Sequence, residues 1–562
     1  MLPDRPTDRR KPDARYPAPT AARLRARAED PSRRRLLALM AGSSALAIAL
    51  PRGLRAQEGA EDTGNTGDTA GTPFSFEALV ETMRARAGEP FEAPQKAEGF
   101  FSDLDYDGYQ RIRFNTDQAR WKDDGGRFRV NAFHLGWLFD EPVALYEVRE
   151  GQAHQMRFST EDFRYFDPPG VEVPERTEMP GVAGFRLNAP LNDAGRYDEV
   201  VSFLGASYFR ALGVGNRYGL SARGLAVNTG LPGGEEFPRF EAFWLERPAE
   251  GANTAVICAA LSSKSVTGAY RMTVRPGDPT RIGVEAHLFL REDVGQLGIA
   301  PLTSMFLYGP QDQGHYDDYR PAVHDSEGLY VETDRQRIWR PLKNPGKLAN
   351  SYFGIDGPRA FGLVQRTRGF DAYLDAEARY DLRPSLVIRP RGDWGRGRLR
   401  LVEIPTEREI NDNIVAFWVP ETGFAAGQEL SFAYDMDWGT GPGEAQTLAG
   451  NELAAVRRSL AGHGGNAGAD PAKDRRKFVI DFEGGRLGEL PAGAAVTPTV
   501  TASGGEVLEA VLSPIEGTRS WRLVTEVSAN GDEIVEMMAH LEGYGQVLSE
   551  TWAYQWMGPE ND

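Results

Sequence analysis

From about residue 110 to residue 418 the chain alternates apolar and polar residues in short runs, with little recurrence at helical spacing. RFRVNAFHLGWLF, FEAFWLERP, YRMTVRPGD and RIGVEAHLFLRED each place apolar side chains on one face of an extended strand, and Gly or Pro breaks separate them. Period-two alternation punctuated in this way predicts strands, and so many of them predict a large β-sandwich. One earlier stretch differs. In FSFEALVETMRARAGEP, Phe76, Leu79, Val80 and Met83 share a helical face, so a short helix is expected.

The composition shifts after Pro420. A Gly- and Ala-rich stretch from 439 to 470 reads as a mobile loop with a short helix around 450–461. KFVIDFEGG, VTPTVTASGG, SWRLVTEVS, DEIVEMMAHLE and SETWAYQW then supply strands for a small immunoglobulin-like sandwich. A chain of 562 residues is long for one core, so two domains are expected, 73–420 and 421–562. The fold class is all-β.

The first 72 residues belong to neither. Arginines 33–35 precede an uncharged run from Leu36 to Leu50, which is short for a membrane span and suits an export signal over 1–56. The pattern Ser32-Arg33-Arg34-Arg35-Leu36-Leu37 resembles a twin-arginine signal. QEGAEDTGNTGDTAGT, residues 57–72, reads as a disordered tether. Residues 1–56 carry 13 of the 64 Lys and Arg and 5 of the 81 Asp and Glu, so the remainder has 51 basic and 76 acidic residues, a net of −25. Such a surface repels nucleic acid and anionic lipid and suits neutral ligands. The lone cysteine, Cys258, lies in an apolar run and is expected in a core.

Familiar cofactor signals are absent from the sequence. There is no GxxxxGK[ST], no CxxC and no HExxH, and the histidines are scattered, so neither a cofactor nor a metal is expected. Carboxylates, arginines and aromatics remain, the groups of a carbohydrate site. They concentrate in HYDDYRPAVHDSEGLYVE (315–332) and between ARYDLRPS and EREINDNIVAFWVPE, up to residue 421. Each has a bland alternative. Asp317 and Asp318 form either a solvated turn or part of a site. Asp381 and Arg383 share a strand face and read equally as a structural pair. Trp394 either caps a core or stacks on sugar, and Asp412 between two asparagines is either a turn residue or an acid at a sheet mouth.

These segments resemble the periplasmic glucan biosynthesis proteins, types G and D. The resemblance runs from Phe76 to the C-terminus and rests on LGIAPLTSMFLYG, DYRPAVHDSEGL, IWRPLKNP, RYDLRPS, LVEIPTEREINDNIVAFW and LSETWAYQW, with YDGYQRIRFN and FHLGWLFDEPV upstream. The arginine pattern favours type D. The resemblance implies a mutarotase-like sandwich followed by an immunoglobulin-like one, a periplasmic location, and a role in shaping glucans whose backbone is β-1,2-linked glucose. It also implies similarity to anomer-inverting endo-β-1,2-glucanases, with Asp412 as general acid and Asp325 as base, the base acting on water through a relay. Glu409, Tyr380, Arg383, Trp394, Trp339 and His324 are the expected substrate-binding residues, and Asp381 and Asp293 stand as rival acids. Glu409 is expected to raise the pKa of Asp412 and Arg383 to lower it. Implied partners are β-1,2-glucan, the membrane glucan synthase and, during export, the twin-arginine translocase. A homodimer stays open. So do transglycosylation, a non-catalytic scaffold that presents glucan to the synthase, and a mutarotase-like epimerase.

Overall fold

The computed structural model describes residues 71–122, 125–166, 172–441, 447–448, 451–465, 472–531 and 533–558, all within one compact unit, Thr69–Asp562. The expected signal and nearly all of the expected tether lie outside the described residues. Thr72, the tether's last residue, already pairs with Ala153.

The expected helix is present at Phe76–Ala87. Ser75 caps it by accepting a hydrogen bond from the Ala78 amide at 3.1 Å. Its buried face, Phe76, Leu79, Val80 and Met83, packs on Cys258, Ala260, Ala269 and Phe289, so the thiol is a core group.

Strands dominate the rest. In Thr280–Leu290, Ile282, Val284, Ala286 and Leu288 are buried while Arg281, Glu285 and His287 reach solvent, the alternation expected of a sheet with one wet face. This strand sits in a 16-stranded sheet that runs from Thr72–Pro73 through Ala255–Ser262, Val266–Arg275 and Ser385–Arg391 to Thr497–Ser503. Opposite it lies a ten-stranded sheet, in which Ala349–Asp356, Arg396–Glu403, Ile414–Pro420, Leu297–Ser304, Ser221–Arg223, Tyr208–Ala211, Tyr197–Leu204, Gly184–Pro190 and Arg129–Phe133 follow one another. Ile257, Tyr270, Val284 and Leu386 from one sheet and Leu187, Val201, Leu302 and Leu401 from the other share a single apolar core. The molecule is an all-β sandwich.

Past residue 420 the chain does not yet leave this sandwich. Glu429–Gly439 pairs with Thr280–Leu290 on one side and Ser385–Arg391 on the other. The stretch expected to be helical around 450–461 instead gives the strand Ala455–Gly464, paired with Ala472–Glu483. Burial of Val456 and a sheet partner outweigh the helix preference of its alanines. Four strands, 455–464, 472–483, 520–529 and 505–514, make the outer layer of a smaller sandwich. Its inner layer is the end of the large sheet, because Thr551–Trp556 pairs in parallel with Arg337–Pro341. Tyr330 and Trp339 therefore share a core with Phe478, Leu523, Met537 and Trp552.

A buried ion cluster fastens this junction. Glu550, 1 % exposed, accepts hydrogen bonds from Arg366 at 2.8 and 2.9 Å and from the Val456 amide at 3.0 Å, with Arg337 at 3.9 Å. Removing one partner from such a cluster strands the others' charge. Glu550→Ala should lower unfolding stability by about 3 kcal/mol or more in urea titration. An unchanged midpoint would mean the cluster contributes nothing.

Candidate active site

The triplet Asn411-Asp412-Asn413 feeds the strand Ile414–Pro420, which lies inside the ten-stranded sheet between Leu297–Ser304 and Arg396–Glu403. Asn413 is 1 % exposed and its amide brackets Phe306. Its Oδ1 accepts from the Phe306 amide at 2.8 Å, and its Nδ2 donates to the Phe306 carbonyl at 2.9 Å and the Ile404 carbonyl at 3.0 Å. Asn411 donates to the Thr406 hydroxyl at 3.0 Å. The asparagines thus fix the turn on either side of Asp412.

Asp325 hangs from the same place. Val323–His324 pairs with Phe306–Tyr308, and the Asp325 amide donates to the Met305 carbonyl at 2.8 Å. Two acids far apart in sequence are therefore anchored to adjacent residues, Met305 and Phe306.

Their surroundings set their chemistry. The Asp325 Oδ1 is enclosed and has no hydrogen-bond partner, and Arg383 stands 3.5 Å away as an ion pair. Burial pushes this carboxyl from 3.8 up to about 6. Arg383 and Arg210 pull it down, while Asp412 and Glu409 push it further up. Three carboxylates thus lie within reach of one another's charge. Asp412 keeps 34 % of its side chain open to water, yet loss of hydration raises its carboxyl as well, against the pull of Arg210 and Arg223. Neighbouring groups crowd this carboxyl without covering it, so it remains reachable. Arg210 lies 3.9 Å from Asp412 and donates to the Ser221 hydroxyl at 2.7 Å. The charges that tune Asp412 are therefore Arg210 and Arg223. The expected influences of Glu409 and Arg383 fall on Asp325 instead.

Glu409 is held by Arg320 at 2.9 Å and accepts a hydrogen bond from the Tyr380 hydroxyl at 3.3 Å. Arg320 also binds Asp318 at 2.7 Å and Asp375 at 2.8 Å, and its hydrogen bonds draw the Asp318 carboxyl down to about 2. Asp318 is thus half of an ion pair. Arg383 lies over the Tyr380 ring at 5.0 Å and donates to the Tyr218 carbonyl. Asp412, Asp325, Glu409, Tyr380 and Arg383 are brought together.

A family model described as periplasmic glucan biosynthesis protein, MdoG, matches residues 74–556. The chain belongs to the family of periplasmic glucan biosynthesis proteins. Membership places it in the periplasm. It is similar to glucans biosynthesis protein G of Cereibacter sphaeroides, 51 % identical over 96 % of this chain and 99 % of that one. The proteins of the same name from two Rhodopseudomonas palustris strains are 42 % identical over 93 % and 99 % of the two chains, and 44 % identical over 84 % and 91 %. These relatives carry the type G name, where the arginine pattern favours type D. A polysaccharide lyase structure aligns at 10 % identity over 67 % of this chain and 44 % of its own, with a TM-score of 0.18, too low to bear on the fold.

Three expected substrate-binding residues of this family member lie elsewhere. His324 is 2 % exposed, bonds Gln365 at 3.0 Å and stacks on Phe306, and burial lowers its pKa, so it packs as a neutral core ring. Trp339 is 2 % exposed in the core of the smaller sandwich, with Arg366 3.8 Å over its ring. Trp394 packs among Phe361, Trp418, Phe432 and Tyr434 and donates to the Ala433 carbonyl, so it caps the main core. Of the rival acids, Asp381 pairs with Arg379 at 2.8 Å and not with Arg383, and Asp293 accepts from the Ala426 amide at 2.9 Å in a surface loop. Among the described residues, no group of three or more His, Cys, Asp or Glu is placed to hold a metal ion.

Sequence reading did not single out Arg210, Arg223 or Tyr208. Arg223 donates to Thr303 at 3.0 Å and lies 5.0 Å over the Tyr208 ring, whose hydroxyl feels the Asp412 charge. Strand pairing, absent from local pattern, brings these residues to Asp412.

A carboxyl raised by folding is neutral in both states only below about pH 3, and its burial costs stability progressively as pH rises from there through about 6. Asp325→Asn should therefore gain roughly 2–3 kcal/mol over the unaltered protein at about pH 8 and almost nothing at about pH 3, read from urea midpoints. A loss of stability at pH 8 would contradict the assigned environment.

Proposed function

We propose that this periplasmic protein hydrolyses the β-1,2-glucan backbone with inversion at the anomeric carbon, or transfers it to another sugar hydroxyl. The observation that carries the reading is the pair Asp412 and Asp325, both raised by loss of hydration, near enough for the Asp412 charge to act on Asp325, and both tied through their loops to Met305–Phe306. Inversion needs one protonated carboxyl and one carboxylate on opposite faces of the sugar. Asp412, reachable from solvent and raised, protonates the glycosidic oxygen as the bond to the anomeric carbon breaks. Asp325, ionised above about pH 6, accepts the proton of the water that attacks that carbon. In transfer, a sugar hydroxyl replaces the water.

The remaining side chains have supporting parts. Arg210 and Arg223 limit how far the Asp412 pKa rises, so that it can give up its proton and regain it. Arg383 faces Asp325 without a hydrogen bond to its enclosed oxygen, which preserves its basicity. Glu409, Tyr380 and Arg383 offer charged and hydroxyl groups to sugar hydroxyls. The twin-arginine-like segment at 32–37 fits export of the folded chain, and the membrane synthase is the natural source of the glucan.

With linear β-1,2-glucan, Asp412→Asn should release new reducing ends at least ~100-fold more slowly while its circular dichroism and glucan binding stay unchanged. Wild-type rates in that variant would remove Asp412 as the acid. For the unaltered protein, kcat/KM should climb as pH rises through about 6, because Asp325 must be ionised. A profile flat from pH 4 to 8 would remove Asp325 as the base. Saturable binding without any new reducing ends would favour the scaffold instead.

A further inference from the structure

The segment FHLGWLFDEP takes no part in the carboxylate centre. It follows the edge strand Arg129–Phe133 of the ten-stranded sheet and carries the most exposed tryptophan among the described residues, Trp137 at 36 %. Tyr106, 50 % exposed, meets it edge-on with ring centroids 5.1 Å apart. The turn that presents the indole is fixed. Gly136 and Phe139 exchange hydrogen bonds of 3.0 and 2.9 Å, and a Cβ on Gly136 would stand 2.7 Å from the Leu104 side chain. Trp137 itself sits at φ 56°, a conformation that side chains with a Cβ rarely adopt, held beside an open aromatic surface.

A polar row joins this turn to the carboxylates. Arg186 lies directly across from Ser202, and Ser202 directly across from Arg210, while Phe185, Phe203 and Phe209 occupy the opposite, core-facing side. At ~4.8 Å per strand the row spans about 10 Å. Arg186 pairs with Glu199 at 3.3 Å and covers the Phe133 ring at 4.3 Å. Tyr218 lies in the field of Glu199, Arg186 and Arg210 together. At the far end the Tyr109 ring is 6.2 Å from Trp137, and its hydroxyl feels Arg186. At the near end Arg210 reaches Asp412.

We propose that Trp137 and Tyr106 form a distal sugar-binding platform that holds a linear glucan chain running along the Arg186–Ser202–Arg210 row to Asp412 and Asp325. A pyranose ring has apolar C–H faces and hydroxyl edges. The aromatic pair takes the face, and the open guanidinium groups of Arg186 and Arg210 take the edges, while Ser202 between them is buried. The platform makes the protein select long chains, since a short oligosaccharide at the carboxylates does not reach it. This rests on the proposed function.

The test is calorimetric binding of long linear β-1,2-glucan and of a short β-1,2-linked oligosaccharide, in an Asp412→Asn background that prevents turnover. Trp137→Ala should reduce the ratio of long-chain to short-chain affinity about tenfold. Tyr106→Ala, at a more exposed position outside the strained turn, should reduce it in the same direction and guards against misfolding of the first variant. If the parent binds both ligands and neither variant changes the ratio, the platform is wrong and the proposed function stands. If the parent binds neither, both fall together.

Discussion

Three hydrogen bonds to Met305 and Phe306 fix the geometry on which the site depends. One comes from the Asp325 amide, and the other two join the Asn413 side chain to the Phe306 backbone. The acids sit 87 positions apart in the chain, and each is attached to its own loop. Without a common anchor their separation would follow loop motion. With it, the separation follows the backbone of one short segment at the end of Leu297–Ser304, itself inside the sandwich.

Around that anchor, burial and arginine charge oppose each other. Taking Asp325 and Asp412 out of water favours their neutral forms, and Arg383, Arg210 and Arg223 restrain the shift. Complete neutralisation would give a salt-bridge cluster such as Arg320 with Asp318 and Asp375, where the carboxyls are pulled down and chemically quiet. The cleft stops short of that. An ion pair at 3.5 Å with an enclosed, unbonded oxygen leaves Asp325 poised near neutral pH. The stability lost to a half-compensated buried charge is consistent with a working group held at a cost to the fold.

Much of this was legible in the chain. Alternation gave the strands and the all-β class, and helical spacing gave Phe76–Ala87 with the buried face it implied. Motif resemblance brought Asp325, Tyr380, Arg383, Glu409 and Asp412 to attention, and they do converge. What failed was the reading of large aromatics. Trp339 and Trp394 sit among polar, sugar-site-like residues in sequence, yet each faces a core, because strand direction and not local composition decides which side is wet. His324 fails for the same reason, one position away from an acid that pairs with Arg383. Arg210 and Arg223 were invisible because cross-strand pairing alone brings them near Asp412. The boundary at 420 was drawn on composition, whereas Glu429–Gly439 completes the sheet of the first sandwich.

We propose that two carboxyls on one anchor, Asp325 buried and Asp412 partly open to water, act as acid and base on opposite faces of a glucosidic bond. Proton NMR of the first turnovers on linear β-1,2-glucan tests it most directly, before the released ends mutarotate. Inversion at a β-linked carbon makes the α-anomer appear first at each new reducing end. Initial release of the β-anomer would contradict it.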